Sequence, residues 1–178
     1  MQVFGAMSMD VPEGPGFGRS LMTGEAFERF VREHERMVRA LARSAVRDAD
    51  AAEDVVQETF WRAWRSLDGL ADPSRAKAWV AEIARHAALD HLRSRRRRPA
   101  EELKVDVAAP ERKEEGDLVE RVMRAVDALR ADYRQILILR HVEKLSYKEV
   151  AQALGMTPGA VGEKLNRVRK MVAERFAR

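Results

Sequence analysis

Apolar residues recur every three or four positions along most of the chain, which is the spacing of an amphipathic α-helix. The first apolar stripe covers residues 27–45. A second helix is expected over 50–67, opened by a capping box between Asp50 and Glu53. A third is expected over 74–95, after a loop that contains turn-forming residues. These patterns predict a three-helix unit in the first half of the chain.

The helical pattern stops near residue 100 and resumes at residue 118. Residues 100–117 contain seven acidic and three basic residues and no apolar stripe, which is typical of a linker. Residues 1–22 are rich in glycine and proline and are expected to form a flexible tail. We therefore predict an all-α protein in which two small helical domains, 23–99 and 118–178, are joined by a flexible acidic linker.

The stretch 147–166 has the spacing of a helix-turn-helix. Ser146 and Glu149 form a capping box for its first helix, and Gly155 lies where the turn needs a positive φ. Thr157 is placed to cap the second helix. An ordinary αα-hairpin is the alternative, but the basic residues that follow favour double-stranded DNA as the ligand.

Charge is distributed unevenly. The chain carries a net charge of +4, whereas residues 118–178 alone contain thirteen basic and seven acidic residues. The segment 93–98 has five arginines in six positions, which indicates nucleic-acid contact or, alternatively, a solvated helix end.

The composition also excludes several classes. The chain has no cysteine, which rules out disulfides, thiolate metal sites and cysteine catalysis. No apolar run reaches the roughly 20 residues of a membrane span, and no secretory signal is evident. A cytoplasmic protein is expected. Asp54 and Glu58 share a helix face but lack further ligands for a metal, and His86 with Asp90 is expected to be a surface hydrogen bond. We expect no cofactor, no metal and no enzymatic activity.

The three tryptophans have different expected environments. Trp64 fits the apolar stripe of the second helix and is expected in the core, whereas Trp61 is one position off that stripe and is expected to be accessible to a partner. Trp79 packs in the core or stacks on an unpaired base. The residues alone leave both possibilities open.

Three segments in this order resemble the bacterial sigma-70 family, specifically its ECF (extracytoplasmic function) group. They are DAAEDVVQETFWRAWRSL (50–67), AWVAEIARHAALDHLRSRRR (78–97) and LSYKEVAQALGMTPGAVGEKLNRVRK (145–170). The resemblance implies a subunit that binds RNA polymerase core and directs promoter-specific initiation. It would read the −10 and −35 elements and help to melt DNA.

The resemblance implies roles for individual residues. Contacts with the clamp helices of the polymerase's largest subunit would come from Asp54, Val55, Gln57, Glu58, Phe60 and Trp61. Contacts with the single non-template strand at −10 would come from Asp68, Gly69, Lys77, Trp79, Arg85, His86, Asp90, Arg93, Arg95, Arg96 and Arg97. Contacts with duplex −35 DNA or the flap of the second-largest subunit would come from Lys148, Thr157, Gly159, Gly162, Glu163, Lys164, Asn166, Arg167, Arg169 and Lys170.

The chain departs from the family pattern at three places. The family often has Asn at the position of His86, and it usually has Pro at the position of Arg130. At 162–163 it commonly has a basic residue followed by Ser, where this chain has Gly-Glu. Glu163 either accepts a hydrogen bond from cytosine N4 or faces solvent.

Two other classes of protein fit the sequence less well. A stand-alone repressor or activator would need a dimerisation seam, and the 50–67 segment would have no purpose in it. A DNA-processing enzyme would need a nucleophile or a carboxylate cluster, which the sequence does not offer. The resemblance also implies an anti-sigma factor as a partner, which can hold such a protein at the membrane without membrane insertion of its own.

Overall fold

A computed structural model of the chain describes residues 24–67, 70, 72–97 and 118–176. Only the backbone is described for residues 96–97, 118–120, 123 and 175–176. The expected tail 1–22 and the expected linker 100–117 lie outside the described residues.

Seven α-helices account for most of the described residues. They are α1 (Gly24–Val46), α2 (Ala49–Arg65), α3 (Ala76–Arg97), α4 (Leu118–Asp127), α5 (Ala131–Leu137), α6 (Tyr147–Leu154) and α7 (Pro158–Phe176). A 3₁₀ turn, Pro73–Arg75, precedes α3, and a π-helical turn, Ile138–Val142, follows α5. The predicted all-α fold with two helical domains is confirmed.

The N-terminal domain is a three-helix unit in which each helix packs against the other two. Val38 of α1, Val56 of α2 and Val80 of α3 are completely buried at its centre. Burying such a side chain contributes about 1.5–3 kcal/mol, and the three helices together bury a continuous apolar layer. The predicted apolar stripes therefore face one another.

The start of α2 differs from the expectation. Its N-cap is Asp48, whose side chain accepts a hydrogen bond from the backbone N–H of Ala51 over 2.7 Å. Asp50 is inside the first turn, and Glu53 binds Arg39 of α1. The predicted Asp50–Glu53 capping box is wrong because Arg47 adopts a left-handed φ of 58°, which ends α1 and leaves Asp48 extended at the cap position.

Arg134 of α5 connects the two domains from a buried position. Its side chain is only 7% exposed, and it donates hydrogen bonds to the carbonyl oxygens of Asp127, Leu129 and Ser44. Ser44 lies in the last turn of α1, and Asp127 is the last residue of α4. The guanidinium therefore lies at the carbonyl ends of two helices, where the helix dipole favours a cation. Burial lowers the pKa of Arg134.

A second contact between the domains joins α3 to α6. Lys77 of α3 forms an ion pair with Glu143, with Nζ 3.2 Å from the carboxylate oxygen. Arg75 donates to the side-chain amide oxygen of Gln152. Buried apolar side chains of both domains belong to one continuous core, which includes Val80 of α3 and Val150 of α6.

Arg130 stands where the resembled family usually has proline. It is the N-cap residue of α5, with φ of −62° and ψ of 153°. Proline imposes nearly this φ, so the backbone at this position keeps the conformation that proline would enforce. The departure therefore leaves the entry to α5 unchanged.

The π-helical turn 138–142 sets the direction of the chain before α6. The N–H of Glu143 donates to the carbonyl oxygen of Ile138 over 3.0 Å, five residues back. Lys144 then adopts a left-handed φ of 62°, and Leu145 is buried. This wider turn brings Glu143 to Lys77.

His34 of α1 is a buried imidazole beside the contact between the domains. It is 3% exposed, neither ring nitrogen has a hydrogen-bond partner in the described residues, and its ring lies 4.4 Å from that of Phe30. Burial lowers the pKa of His34 from its ordinary 6.5, and Lys77 acts in the same direction while Glu33 and Glu143 oppose it. Burial therefore favours the neutral form of this ring in the folded protein.

The buried His34 predicts a loss of stability in mild acid. Below the ordinary pKa of 6.5 the unfolded chain takes up a proton that the folded protein does not, so the free energy of unfolding falls as pH falls. Urea unfolding at about pH 7.5 and about pH 5.5 measures the difference. In His34→Phe we expect the difference to shrink; a part remains because burial also lowers the pKa of His141.

His86→Phe is the control, because His86 is exposed. It should keep the full pH dependence. An equal reduction in both variants would show that the buried ring is not responsible.

Candidate nucleic-acid and polymerase interfaces

The first helix of the helix-turn-helix is fixed by the predicted capping box. The Ser146 hydroxyl accepts from the N–H of Glu149 at 3.3 Å, and the Glu149 carboxylate accepts from the N–H of Ser146 at 2.7 Å. These bonds to Ser146 lower the pKa of Glu149. The capping box is confirmed, and it fixes where α6 begins.

The turn between α6 and α7 depends on Gly155, as predicted. Its φ of 62° and ψ of 44° are left-handed. Its N–H donates to the Gln152 carbonyl, and the N–H of Met156 donates to the Ala151 carbonyl, which is a Schellman motif. The Thr157 hydroxyl then accepts from the N–H of Ala160 and caps α7. Both the glycine turn and the threonine cap are confirmed.

One face of α7 is free for a ligand. Glu163, Asn166, Arg167 and Lys170 are exposed and have no hydrogen bond or ion pair within the described part of the chain. Their spacing of three and four residues places them on one side of the helix, together with exposed Gly159. Thr157, Lys148 and Arg169 are also exposed. Most residues expected at −35 DNA are therefore accessible.

Two residues expected at −35 DNA are placed differently. Lys164 forms an ion pair with Asp132 of α5 and lies 5.0 Å from the centre of the Tyr133 ring. In this structure the ammonium group is therefore occupied by α5, and its expected phosphate or flap contact stays a prediction. Gly162 is half-buried, and a Cβ there would lie 3.7 Å from the Tyr147 ring, an ordinary contact.

An acidic groove of about 310 Å³ lies between α2 and α3. Asp54 and Glu58 of α2 line it, and Asp90 of α3 faces them. Arg62 crosses the groove, with its guanidinium 2.7 Å from Glu58 and 2.8 Å from Asp90. The hydrogen bond to Arg62 lowers the pKa of Asp90. Three carboxylates and one guanidinium line the groove, which therefore presents a net negative surface.

The exposed face of α2 adds an aromatic side chain to this groove. Trp61 is 43% exposed, as predicted, and the guanidinium of Arg65 lies 5.8 Å from its ring centre. Gln57 is exposed on the same helix. Val55 and Phe60 are buried in the core, so the expected partner contacts of these two side chains do not fit this structure.

The first half of α3 is covered by the C-terminal domain. Lys77 is paired with Glu143, and the Arg85 Nε atom donates to the carbonyl oxygen of Ala153 at 3.3 Å. The other end of the Arg85 guanidinium lies 2.7 Å from the His86 Nε2 atom. Two of the residues expected at −10 DNA are therefore occupied by contacts within the protein.

The second half of α3 is more open. His86, Asp90 and Arg93 are exposed, and Arg95 is half-buried. Asp90 binds Arg62 and Arg93, so the expected His86–Asp90 hydrogen bond is wrong, because Arg62 supplies a stronger, charged donor. Asp68 and Gly69 lie outside the described residues, as do the side chains of Arg96 and Arg97.

Aromatic contacts decide the positions of the other two tryptophans. Trp64 lies edge-on to Phe27, with 4.8 Å between ring centres, as expected for a core residue. Trp79 lies edge-on to Phe30 at 6.2 Å and packs against the core while remaining half-buried. Trp79 is therefore mainly a core side chain, with one part accessible.

Sequence reasoning missed three arginines that organise these surfaces. Arg62 lies four residues after Glu58, a spacing that signals an ion pair on a helix. Arg75 and Arg134 bind partners in the other domain, and no local spacing signals such contacts. Within the described segments no group of three or more His, Asp or Glu side chains is arranged so that it could hold a metal ion, and none of the helices there is long and apolar enough to cross a membrane.

Comparison with protein families identifies both domains. The family profile described as Sigma-70 region 2 matches residues 30–98, and that of Sigma-70, region 4 matches residues 119–172. The RNA polymerase sigma-H factor of Pseudomonas aeruginosa is 32% identical over 162 residues, covering 83% of this chain and 84% of that protein. The chain belongs to the sigma-70 family, in its ECF group.

Other relatives agree with this assignment. The sigma factor is 36% identical over 158 residues to the probable RNA polymerase sigma factor RfaY of Xanthomonas campestris pv. campestris. That alignment covers 83% of this chain but only 40% of RfaY, so the chain spans two fifths of that relative's length. Proteins of this family are transcription initiation factors, and this sigma factor directs promoter-specific initiation.

Two solved structures have a similar fold. The sigma factor RpoE, solved in complex with the anti-sigma factor NepR from Bartonella quintana, matches with a TM-score of 0.66 and 26% identity. The match covers 86% of this chain and 98% of RpoE. CnrH, solved with the cytosolic domain of CnrY, matches with a TM-score of 0.60 and 27% identity, over 87% and 90% of the two chains.

The turn of the helix-turn-helix generates a stability prediction. In Gly155→Ala the left-handed backbone is strained, and the new Cβ would lie 3.0 Å from an Arg85 nitrogen. We expect the free energy of unfolding to fall by about 1–2 kcal/mol, as measured by urea titration.

Gly162→Ala is the matched control, because this glycine lies in a regular helix where a Cβ makes only an ordinary contact. It should raise the free energy of unfolding by up to about 1 kcal/mol. Equal effects of the two changes would contradict the role given to the left-handed turn.

Proposed function

We propose that this sigma factor reads promoters with two separate surfaces and binds polymerase through a third. The main support is the free face of α7, where Glu163, Asn166, Arg167 and Lys170 are exposed and without partners in the described residues. A capped helix with this face fits the major groove of DNA. The family assignment makes the −35 element the DNA in question.

The base contacts at −35 come from the centre of this face. Glu163 accepts a hydrogen bond from cytosine N4, and Arg167 donates to guanine or to a phosphate. Asn166 matches a further base-facing position, and Lys170 lies one turn beyond Asn166. The N-terminus of α7 adds free N–H groups for a phosphate. Lys148 and Arg169 neutralise phosphates at the sides, which positions the helix without selecting sequence.

The −10 surface is formed by α3 and the loop before it. Residues 68–77 capture an extruded base of the non-template strand, and the cations of α3 bind its backbone. Extruding a base costs a few kcal/mol, which these contacts and polymerase offset together. The accessible part of Trp79 lies beside this strand. His86, where the family often has Asn, adjusts the strand contact.

The polymerase surface is the acidic groove with the exposed part of α2. Asp54, Glu58 and Asp90 give it negative charge, and Trp61 gives it an exposed aromatic ring. Aromatic residues are enriched at protein interfaces, and charge complementarity speeds association with a basic partner. The clamp helices of the largest polymerase subunit are the proposed partner, with Val55 and Phe60 supporting the surface from the core.

The remaining parts of the proposal follow from the family. The domains 23–99 and 118–178 correspond to the two promoter-reading modules, and the acidic segment 100–117 passes through the polymerase cleft. The region around α7 contacts the flap of the second-largest subunit. The protein has no enzymatic activity of its own, acts in the cytoplasm and is controlled by an anti-sigma factor, as RpoE was solved with the anti-sigma factor NepR.

Run-off transcription with core polymerase tests the proposal, using Asp54→Arg as the variant. Wild-type protein with core should give promoter-specific transcripts, and core alone should give none. Because Asp54 is exposed on the acidic groove, its reversal should weaken core binding about tenfold or more, in pull-down and in transcription.

Glu28→Arg is the matched control, since Glu28 is an exposed acid on α1, away from the groove. It should bind core like the wild type. No promoter-specific transcript with wild-type protein and core would refute the function, and unchanged core binding by Asp54→Arg would refute only the clamp surface.

Promoter choice at the −35 element should depend on Glu163. Glu163→Ser removes a carboxylate from the centre of the α7 face, so preference at the −35 element should change while preference at −10 stays the same. Selection of bound promoters from a randomised pool with reconstituted holoenzyme measures both. A mismatch at one base pair typically costs about 1–3 kcal/mol, so the change should exceed about fivefold at one position.

Glu174→Ser serves as the control, because Glu174 is exposed near the end of α7, about three turns from Glu163. It should leave both elements unchanged. An unaltered −35 profile in Glu163→Ser would place this residue outside the base contacts.

A further inference from the structure

Lys164 of α7 is held on α5 by two contacts. Its ammonium group forms an ion pair with the Asp132 carboxylate and lies 5.0 Å from the centre of the Tyr133 ring. Both partners are in the first turn of α5. The side chains of Lys164 and Asp132 are each 29% exposed, so water and salt screen the pair only in part. The cation of Lys164 is therefore engaged within the protein.

The Asp132 carboxylate has little to replace Lys164. Its Oδ1 atom is buried and accepts no hydrogen bond within the described residues, although the Nε atom of the exposed Arg130 lies 3.5 Å away. Burial raises the pKa of Asp132, but the hydrogen bond from Lys164 and the charges of Lys164 and Arg130 oppose it, and the pKa is lowered overall. If Lys164 turned to a phosphate, Oδ2 would lose its donor in a half-buried place, which costs free energy.

Lys164 lies at the border between the apolar side of α7 and the exposed face that is proposed to read the −35 element. Val161 and Val168, three residues before it and four after it, are buried. Glu163 directly precedes it and Arg167 follows three residues later, and both are exposed. Because a helix turns as one rigid unit, a rotation of α7 that released Lys164 from α5 would move both reading side chains as well.

The other contacts of α7 fix its rotation less strictly. Its buried side chains pack by the hydrophobic effect, which has no preferred direction, whereas a hydrogen bond has a preferred distance and angle. Binding side chains must be held within about 0.5 Å of their productive positions, and supporting residues supply that precision. The ion pair between Lys164 and Asp132 is a directional contact of this kind between α7 and α5.

We propose that Lys164 is a positioning residue for −35 recognition and does not bind DNA itself. Through Asp132 and Tyr133 it fixes the rotation of α7 on α5, and it thereby sets the direction in which Glu163 and Arg167 point. The inference rests on the proposed function of the α7 face. It replaces the phosphate or flap contact that was expected of Lys164 with a contact inside the protein.

Four variants separate positioning from phosphate binding. Lys164→Met removes the ammonium group and keeps an unbranched stem, and Asp132→Asn removes the charge of the partner while Lys164 stays in place. Lys164→Arg is the conservative variant, since a guanidinium can still pair with Asp132. Lys148→Met is the matched control, because it makes the same chemical change at an exposed lysine of α6 that is proposed to neutralise a phosphate.

Reconstituted holoenzyme is bound to two short DNA duplexes that lack a −10 element. One carries the −35 sequence that the wild type selects, and the other carries a scrambled sequence. The ratio of the two affinities measures discrimination, and the slope of log affinity against log salt concentration reports the number of phosphate contacts. A variant that is merely less stable loses both affinities by the same factor, so its ratio does not change. Circular dichroism checks that each variant folds.

We expect Lys164→Met and Asp132→Asn each to lower the affinity ratio about fivefold and to leave the salt slope unchanged. The double variant should lose no more than either single one, because both break the same pair. Lys164→Arg should keep the ratio within about twofold of the wild type. Lys148→Met should keep the ratio and reduce the magnitude of the salt slope by about 0.9.

Two results overturn the inference. One is a reduced salt slope with an unchanged ratio in Lys164→Met, which makes Lys164 a phosphate contact. The other is tighter binding of both duplexes by Asp132→Asn, which means that Asp132 withholds a cation that DNA would use. If Lys164→Met does not fold, a lower ratio in Asp132→Asn supports the inference and an unchanged ratio refutes it. Failure of the proposed function is distinguishable, because the wild-type holoenzyme then shows no discrimination between the duplexes.

Discussion

The packing of the two domains depends on a buried guanidinium at the ends of two helices. Arg134 donates to carbonyl oxygens of α1 and of the end of α4, and no carboxylate of the described residues forms an ion pair with it. Hydrogen bonds to a charged group contribute about 1.5–3 kcal/mol each, and leaving those carbonyls unpaired inside the protein costs a similar amount. These hydrogen bonds of Arg134 hold α5 against the end of α1. That position brings α6 to α3, and the continuous core follows from both contacts.

The same chemistry recurs where Arg85 binds the end of α6. In both places a cation of one domain meets a carbonyl of the other, at the negative end of a helix. The two contacts differ in burial, since Arg134 is buried and Arg85 is half-buried. A half-buried contact exchanges its partner more easily, because water can take the place of the protein acceptor. The contact of Arg134 between the domains is therefore expected to be the more stable one, and the contact of Arg85 the more easily broken one.

Sequence reasoning succeeded where a feature is decided within four residues. The capping box of Ser146 and the left-handed Gly155 are of this kind, and the apolar stripes follow from the helical period. It did not predict contacts with distant partners: Lys77, Arg85 and Lys164 bind residues 66, 68 and 32 positions away. The resemblance also assigned the whole segment 54–61 to one surface, although Val55 and Phe60 belong to the apolar stripe and are buried.

The π-helical turn 138–142 lies between α5 and the helix-turn-helix of the sigma factor, and its length sets the rotation of one relative to the other. Each residue added to or removed from a helix rotates everything after it by roughly 100°, since 3.6 residues complete a turn. The extra residue in this turn therefore sets the direction in which α7 points relative to α5. A single deletion here would aim an intact reading face away from the DNA, with every contact residue still present. The number of residues in this turn therefore matters for DNA reading as much as the identity of the DNA-binding side chains does.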